Sequence, residues 1–266
     1  GFTQVRINGL DGHYSQILMN SKPVFSALAG VYGLEHIPAT MIDRVEVMRG
    51  GGSALFGSSA IGGTINIITK DPVTNSAEIS HNITSIGMGG SLDNNTTVNA
   101  SVVNGNSRSG LFIYGQSRNR EAYDHNDDGF TEIGTINAKT LGINSFYNIS
   151  SNSKLRAEYS STDEFRRGGD QLDRPAHQAY IAEQTDHKIN AANVTFDAWS
   201  DDYSNKYNIY TALRNTKRDS YYGSNMDPNA YGSTHDLVVV GGAQYVHTFT
   251  KLWFMPAEFI SGIEYN

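Results

Sequence analysis

Ile37–Lys70, IPATMIDRVEVMRGGGSALFGSSAIGGTINIITK, decides the fold of this chain. Asp43–Arg49 alternates charged and apolar residues, the period of a half-buried strand. Thr64–Thr69 is a β-branched run, TINIIT, of strand type. Between them lie Gly50, Gly51 and Gly52 and then a tract of small residues ending at Gly62 and Gly63. Such residues let backbone segments approach closely and permit positive φ. The segment therefore reads strand, Gly-rich turn, small-residue turn, strand.

The same run resembles the plug-domain signature of TonB-dependent outer-membrane receptors, roughly I-x-R-V-E-V-x-R-G-P-x-S-A-L-Y-G-x-x-A-I-G-G-x-I-N-I-I-T. Gly51 stands where that family usually has proline, a departure that costs loop stiffness. Val5–Gly9 and Leu10–Tyr14 extend the resemblance over most of residues 4–72. Gln16–Met19 reads as a short buried strand, and Pro38–Ile42 as a brief helix with proline in its first turn. Asp71-Pro72 closes the region.

Composition supports a β protein. The chain has 266 residues, with 15 Tyr, 11 Phe and 2 Trp against 6 Pro. It has no cysteine, which rules out a disulfide framework and a thiolate zinc site. A formal net charge of −7 argues against a nucleic-acid partner. No apolar run is long enough for a transmembrane helix, yet a barrel shows lipid only every second residue, so a mean hydropathy of −0.41 fits it.

From residue 73 a regular rhythm begins. Strands are expected near 76–85, 96–104, 109–119, 138–149, 153–162, 188–200, 205–218, 236–249 and 256–266. Lys154–Tyr159 alternates polar and apolar cleanly. Short connections at 104–108, 150–152 and 200–204 alternate with long ones at 120–137, 163–187 and 219–235, as in barrels with short periplasmic turns and longer outer loops. Trp199 and Tyr203 beside one short turn, and Phe249, Trp253 and Phe254 beside another, are candidates for an interfacial girdle. The fold expected is mainly β: part of a plugged transmembrane antiparallel β-barrel. Residues 1–72 would be the C-terminal part of a small α+β plug and 73–266 the first nine or so barrel strands. Family barrels have roughly twenty-two.

Three enzyme readings fail, and the expectation is no enzyme. The Gly50–Gly52 run lacks a Gly-Lys-Ser/Thr ending. Ser53 and Ser58 have no visible His-Asp partners, and the eight His residues show no H-E-x-x-H spacing. No cofactor is required. Calcium is the one candidate ion: Asp124, Asn126 and Asp128, with Gly129 sixth, the Phe130 carbonyl and Glu132 ninth, match the first half of an EF-hand-type loop. Thr135 stands at the twelfth position in place of Glu, leaving Asp170 and Asp173 to complete a site. Cobalamin receptors of the resembled family carry an acidic, DGF-containing calcium loop at a similar place, which Asn126–Phe130 resembles.

The resemblance implies more. It places Phe25, Ser26 and Tyr32 at the plug apex, where substrate lands, though Phe25 also reads as plug core. It makes Arg44, Glu46 and Arg49 the charged ties between plug and inner barrel wall. It implies import of a scarce, bulky nutrient chelate (cobalamin or a ferric siderophore, with haem a further option) across the outer membrane of a Gram-negative bacterium. The TonB complex and outer-membrane lipid would be its partners, with a surface lipoprotein as in glycan-importing relatives. Two other readings stand beside it: a receptor for a colicin or phage on the same scaffold, and a soluble β-rich carbohydrate-binding or adhesin module.

Overall fold

Two β-sheets account for nearly all the regular structure. The computed structural model describes residues 7–10, 14–22, 37–50, 61–88 and 90–265. The first sheet has three strands, β1 (Ser15–Met19), β2 (Ile42–Arg49) and β3 (Gly63–Thr69), in the order β1-β3-β2. β3, the β-branched run, is central and buried almost throughout; it pairs parallel with β1 and antiparallel with β2. Ile7, Ile17, Ile65 and Ile67 form its core, flanked by Ile37 and Ile42. Burying each such side chain contributes about 1.5–3 kcal/mol. Gly63 has φ +144°, and a Cβ there would lie 2.5 Å from the Met48 carbonyl oxygen, so the start of β3 needs glycine.

Two expectations about this sheet change. The brief helix is one 3-10 turn, Ala39–Met41, with Pro38 before it. β2 is exposed along most of its length, not half-buried: Val45 is 50% and Val47 56% exposed. The period of two was legible, but β2 is an edge strand with β3 as its one neighbour, and nothing among the described residues covers its outer face.

The second sheet is a nine-stranded antiparallel meander in strict chain order. Its strands are β4 (Ser76–Ile86), β5 (Ser91–Val103), β6 (Ser109–Arg120), β7 (Phe130–Ser150), β8 (Ser153–Asp170), β9 (Ile181–Trp199), β10 (Asn205–Ser224), β11 (Tyr231–Leu252) and β12 (Met255–Tyr265). A meander of long strands in this order has the form of a barrel wall. One face carries apolar side chains in register. Ile113, Ile143, Tyr159, Leu213 and Val239 are exposed members of it, and Ile143 stands opposite Tyr159. A continuous hydrogen-bonded wall with apolar residues on alternate positions is what lipid contact demands.

The strands outrun their expected ends. The connections expected at 120–137, 163–187 and 219–235 shrink to 121–129, 171–180 and 225–230. The first hairpin closes at 87–90, so β5 begins five residues before its expected start. Apolar alternation fades where the wall leaves the lipid, but the backbone ladder continues into water. The short turns are stapled by their own side chains. At 200–204 the Asp202 carboxylate accepts from Ser200 Oγ, Ser204 Oγ (2.8 Å) and Ser204 N (3.1 Å), which lowers its pKa to about 2.

Near these turns Tyr207 and Tyr245 face outward with ring centroids 5.2 Å apart. Trp253 and Phe254 are exposed at the β11–β12 hairpin. Trp199 lies on the same face as the buried Asp197, with Lys206 over its ring, so it does not join an outward girdle.

Candidate functional site

The three-stranded sheet docks on the inner face of the wall through the tight turn after β1. Asn20 and Ser21 adopt positive φ (51° and 65°), and Met19 and Lys22 exchange backbone hydrogen bonds across the turn. Positive φ at non-glycine residues marks a constrained turn, and Asn tolerates it best. Asn20 Nδ2 donates to Glu158 Oε1 of β8 at 2.7 Å and to Thr69 Oγ1 of β3 at 2.9 Å. Asn193 Nδ2 of β9 donates to the other Glu158 oxygen at 3.1 Å. Glu158 is therefore an acceptor shared by plug sheet and wall.

Lys22, 5% exposed, donates from Nζ to Asn193 Oδ1 at 2.9 Å and to Thr195 Oγ1. Burial pushes its pKa down to about 8, against the opposing pull of the Glu158 and Asp197 carboxylates. The folded value lies below the unfolded 10.5, so the unfolded chain holds more protons between pH 8 and 10.5. Stability therefore rises through that window, by about 3 kcal/mol in total, and is flat on either side. The expected outcome is a thermal midpoint of detergent-solubilised receptor that climbs from pH 8 to 10.5 more steeply than in Lys22→Met; parallel curves would remove the effect.

Nearer the short turns an ionic cluster continues the contact. Asp71, where the chain leaves the first sheet, lies 3.0 Å from Lys154 and 3.7 Å from Arg156. Arg156 also meets the buried Asp197 at 2.5 Å, and Asn208 donates to Asp197 at 2.8 Å. A polar groove of about 690 Å³ separates Lys22 and Arg44 from Lys206 and Glu264. Apolar contacts complete the docking. Met41, Ile37 and Ile42 pack on Phe112 and Tyr114, and Met19 also reaches Ala212 and Val240.

Farther from the short turns the inner face changes character. Thr97, Thr140, Thr162 and Thr216 lie in one cross-strand row, with Thr140 and Thr162 hydrogen-bonded at 3.0 Å. The next two rows carry four guanidinium groups, Arg118 and Arg218 in one, Arg120 and Arg166 in the other. Arg118 pairs with Asp93 at 2.6 Å and Arg166 with Glu164 at 2.6 Å. Arg120 donates to the Gly134 carbonyl at 3.0 Å.

The residues singled out by sequence fall in three places. Phe25, Ser26 and Tyr32 lie outside the described residues. Arg44, Glu46 and Arg49 lie on the exposed β2. Arg44 pairs with its own neighbours Asp43 and Glu46, both at 2.9 Å, and Glu46 accepts from Asn66 within the sheet. Among the described residues none of the three reaches the wall through a hydrogen bond or ion pair. That contact runs instead through Asn20, Lys22, Thr69 and Asp71.

The acidic loop is satisfied by its own backbone. Asp124 accepts from Asn126 N and Gly129 N, Asp128 from Phe130 N and Asn126 Nδ2, and Glu132 from His125 N. Asp170 stands directly across from Phe130 and accepts from Tyr180 N and Ile181 N of the next loop. Among the described residues no group of three or more His, Asp or Glu side chains is placed to hold a metal ion. Asp173 joins no such group.

Comparison with known proteins agrees with the fold. Residues 1–64 match the family model of the TonB-dependent Receptor Plug Domain. The vitamin B12 transporter BtuB of Photobacterium profundum is 32% identical over 148 residues, 50% of this chain and 23% of that protein. The ferric enterobactin receptor PirA of Pseudomonas aeruginosa is 37% identical over 79 residues, 26% of this chain and 11% of that protein. Among solved structures, the siderophore receptor PirA from Acinetobacter baumannii superposes with a TM-score of 0.78 at 18% identity, covering 98% of this chain and 41% of that one. The pyoverdine receptor FpvA of Pseudomonas aeruginosa gives 0.75 at 11% identity, covering 97% and 40%. The chain thus spans less than half the length of these relatives. A plug-type sheet held against the inner face of a lipid-facing β-wall, with residues 1–64 matching the plug-domain model, gives the chain the fold of TonB-dependent receptors, β-barrel proteins of the Gram-negative outer membrane.

Proposed function

We propose that this chain is part of a receptor that captures a bulky, anionic nutrient chelate at the cell surface and passes it to the periplasm. Residues 1–72 act as plug and 73–266 as barrel wall. Energy comes from the inner-membrane TonB complex acting on the plug, and no bond in the substrate is broken. The observation that carries the substrate class is the pair of arginine-bearing rows, Arg118 with Arg218 and Arg120 with Arg166, on the inner face beyond the described plug residues. Guanidinium groups in a confined, partly dry lumen recognise carboxylate and catecholate oxygens. That favours a ferric siderophore over cobalamin, and haem, which carries two propionates, comes second. Phe25, Ser26 and Tyr32 are proposed as the plug surface that meets the chelate. Arg44, Glu46 and Arg49 are proposed to meet wall not covered by these nine strands.

Transport then needs the plug held firmly enough to close the lumen, yet through contacts that a directed pull can break. The docking seen here has that form: a few charge-assisted hydrogen bonds around Glu158, one desolvated lysine and a small apolar patch. Isothermal titration of the full-length receptor with ferric siderophores, haem and cobalamin tests the reading. The expected result is tight binding of an anionic ferric chelate, weakened about tenfold to a hundredfold by Arg118→Ala plus Arg218→Ala. Tight cobalamin binding unaffected by that pair would overturn it.

A further inference from the structure

In the two arginine-bearing rows of the lumen, Arg118 and Arg166 each hold a carboxylate. Asp93 on β5 accepts from Arg118 Nε at 3.0 Å and from its Nη2 at 2.6 Å. Glu164 on β8 accepts from Arg166 Nε at 2.6 Å and from its Nη2 at 3.2 Å. Each carboxylate thus lies along the Nε–Nη2 edge of its partner, the forked geometry that makes such pairs strong. Asp93 and Glu164 side chains are 13% and 3% exposed, so water screens neither pair fully. The two rows hold four guanidinium groups against these two carboxylates, which leaves the cluster positive.

The spacing decides which anions can compete. Ala138 stands between Arg118 and Glu164 in one row, and Ile136 between Arg120 and Arg166 in the next. Neither side chain carries a polar group. Arginine positions are therefore about 10 Å apart across two strands and about 7 Å apart along one. A small anion offers one set of closely spaced oxygens. Asp93 and Glu164 already supply the same, and their tethers give them a far higher effective concentration. A large chelate with oxygens spread over about 7–10 Å meets several guanidinium groups at once, which a tethered carboxylate cannot match.

We propose that Asp93 and Glu164 determine specificity: they close the arginine cluster to small anions and leave it open to a large polyanion. This role rests on the anionic-chelate reading of the lumen and deepens it. Both residues act through the arginines they hold, as positioning residues, and selectivity comes from the penalty they place on the wrong ligand. The test titrates pyrophosphate and citrate into the full-length receptor in detergent at about 0.15 M salt. Wild type should bind both weakly, with Kd above about 1 mM. Asp93→Asn plus Glu164→Gln should bind them at least tenfold more tightly, and Asp93→Asn alone should show a smaller gain. Asp93→Glu, which keeps the charge, should exclude them as wild type does. Asp163→Asn plus Asp219→Asn removes the same charge from exposed positions on the opposite face and should leave binding unchanged. Heat-modifiable mobility on gels reports that each variant has folded. A damaged site loses affinity, so a gain is not the mark of a merely structural role. Small anions bound equally by wild type and both neutral variants, or an equal gain from the opposite-face pair or from Asp93→Glu, would each overturn the assignment. A wild type that binds no ferric chelate would remove the substrate reading instead, and the small-anion comparison would still report on Asp93 and Glu164.

Discussion

Glu158→Ala should loosen the plug while leaving the wall intact. Its carboxylate receives Asn20 Nδ2 at 2.7 Å and Asn193 Nδ2 at 3.1 Å, with Thr69 Oγ1 at 3.4 Å. Removal strips three donors, Thr69 the most distant, of a charged acceptor in a partly buried place and leaves Lys22 with one fewer neighbouring carboxylate. Hydrogen bonds to charged groups contribute about 1.5–3 kcal/mol each. With partial solvent access, the loss in docking is about 2–4 kcal/mol, or roughly thirty- to several-hundredfold in the opening equilibrium. Amide exchange at Asn20–Lys22 and along β3 should accelerate by that factor, with the barrel strands unchanged. Glu158→Gln, which keeps one acceptor oxygen, should fall between. Unchanged exchange in Glu158→Ala would show that the apolar patch alone seats the plug.

The second large effect concerns the inner surface of the wall. Tyr114 and Gly142 are direct cross-strand partners, and the Tyr114 ring lies over the glycine. A Cβ at Gly142 would come within 2.1 Å of that ring. Tyr114 is 1% exposed and packs with Phe112 at 5.8 Å between centroids, under Met41 of the plug. Gly142→Val therefore drives the ring out of its site, and overpacking of this kind costs about 1–3 kcal/mol. Tyr114→Ala alone leaves a cavity, at about 3–5 kcal/mol. The double variant should be less destabilised than the sum, because the valine then occupies space the ring has vacated. Thermal unfolding in detergent reads all three; strict additivity would mean that the ring and the glycine do not depend on each other. Tyr210 lies over Gly242 in the same way, so the device recurs along the wall.

The sequence carried the architecture because its signals were local. The alternation of Asp43–Arg49 and the β-branched run Thr64–Thr69 are each enough to read a strand alone, and the glycine at 63 marks where β3 begins. Burial of β2 was not legible, since an edge strand and a central one share the same alternation. Strand ends were cut short at 120–137 and 219–235 because water-exposed ladder has no apolar face to betray it.

The docking contacts were hidden for another reason. Asn20 and Glu158 are 138 residues apart, and neither type nor spacing links them. One clue was present. In Lys154–Tyr159 the clean alternation puts Lys154, Arg156 and Glu158 on one face, and a face that charged on a membrane strand must look into the lumen. Asn20, Lys22 and Asp71 sit in turns and strand ends with no periodic pattern of their own to single them out.

The central claim is that the turn after β1 sits against the lumen face of β8. Residues 1–266 hold no cysteine, and any thiol elsewhere in the full-length receptor is first replaced by serine so that the introduced pair reports alone. Asn20→Cys with Glu158→Cys in the full-length receptor, treated with a short bis-maleimide in intact outer membranes, should give an intramolecular cross-link. Asn20→Cys with Tyr159→Cys, one residue along but on the lipid face, should give none. Equal yields from the two pairs, or a cross-link from the Tyr159 pair alone, would contradict a plug held inside the wall.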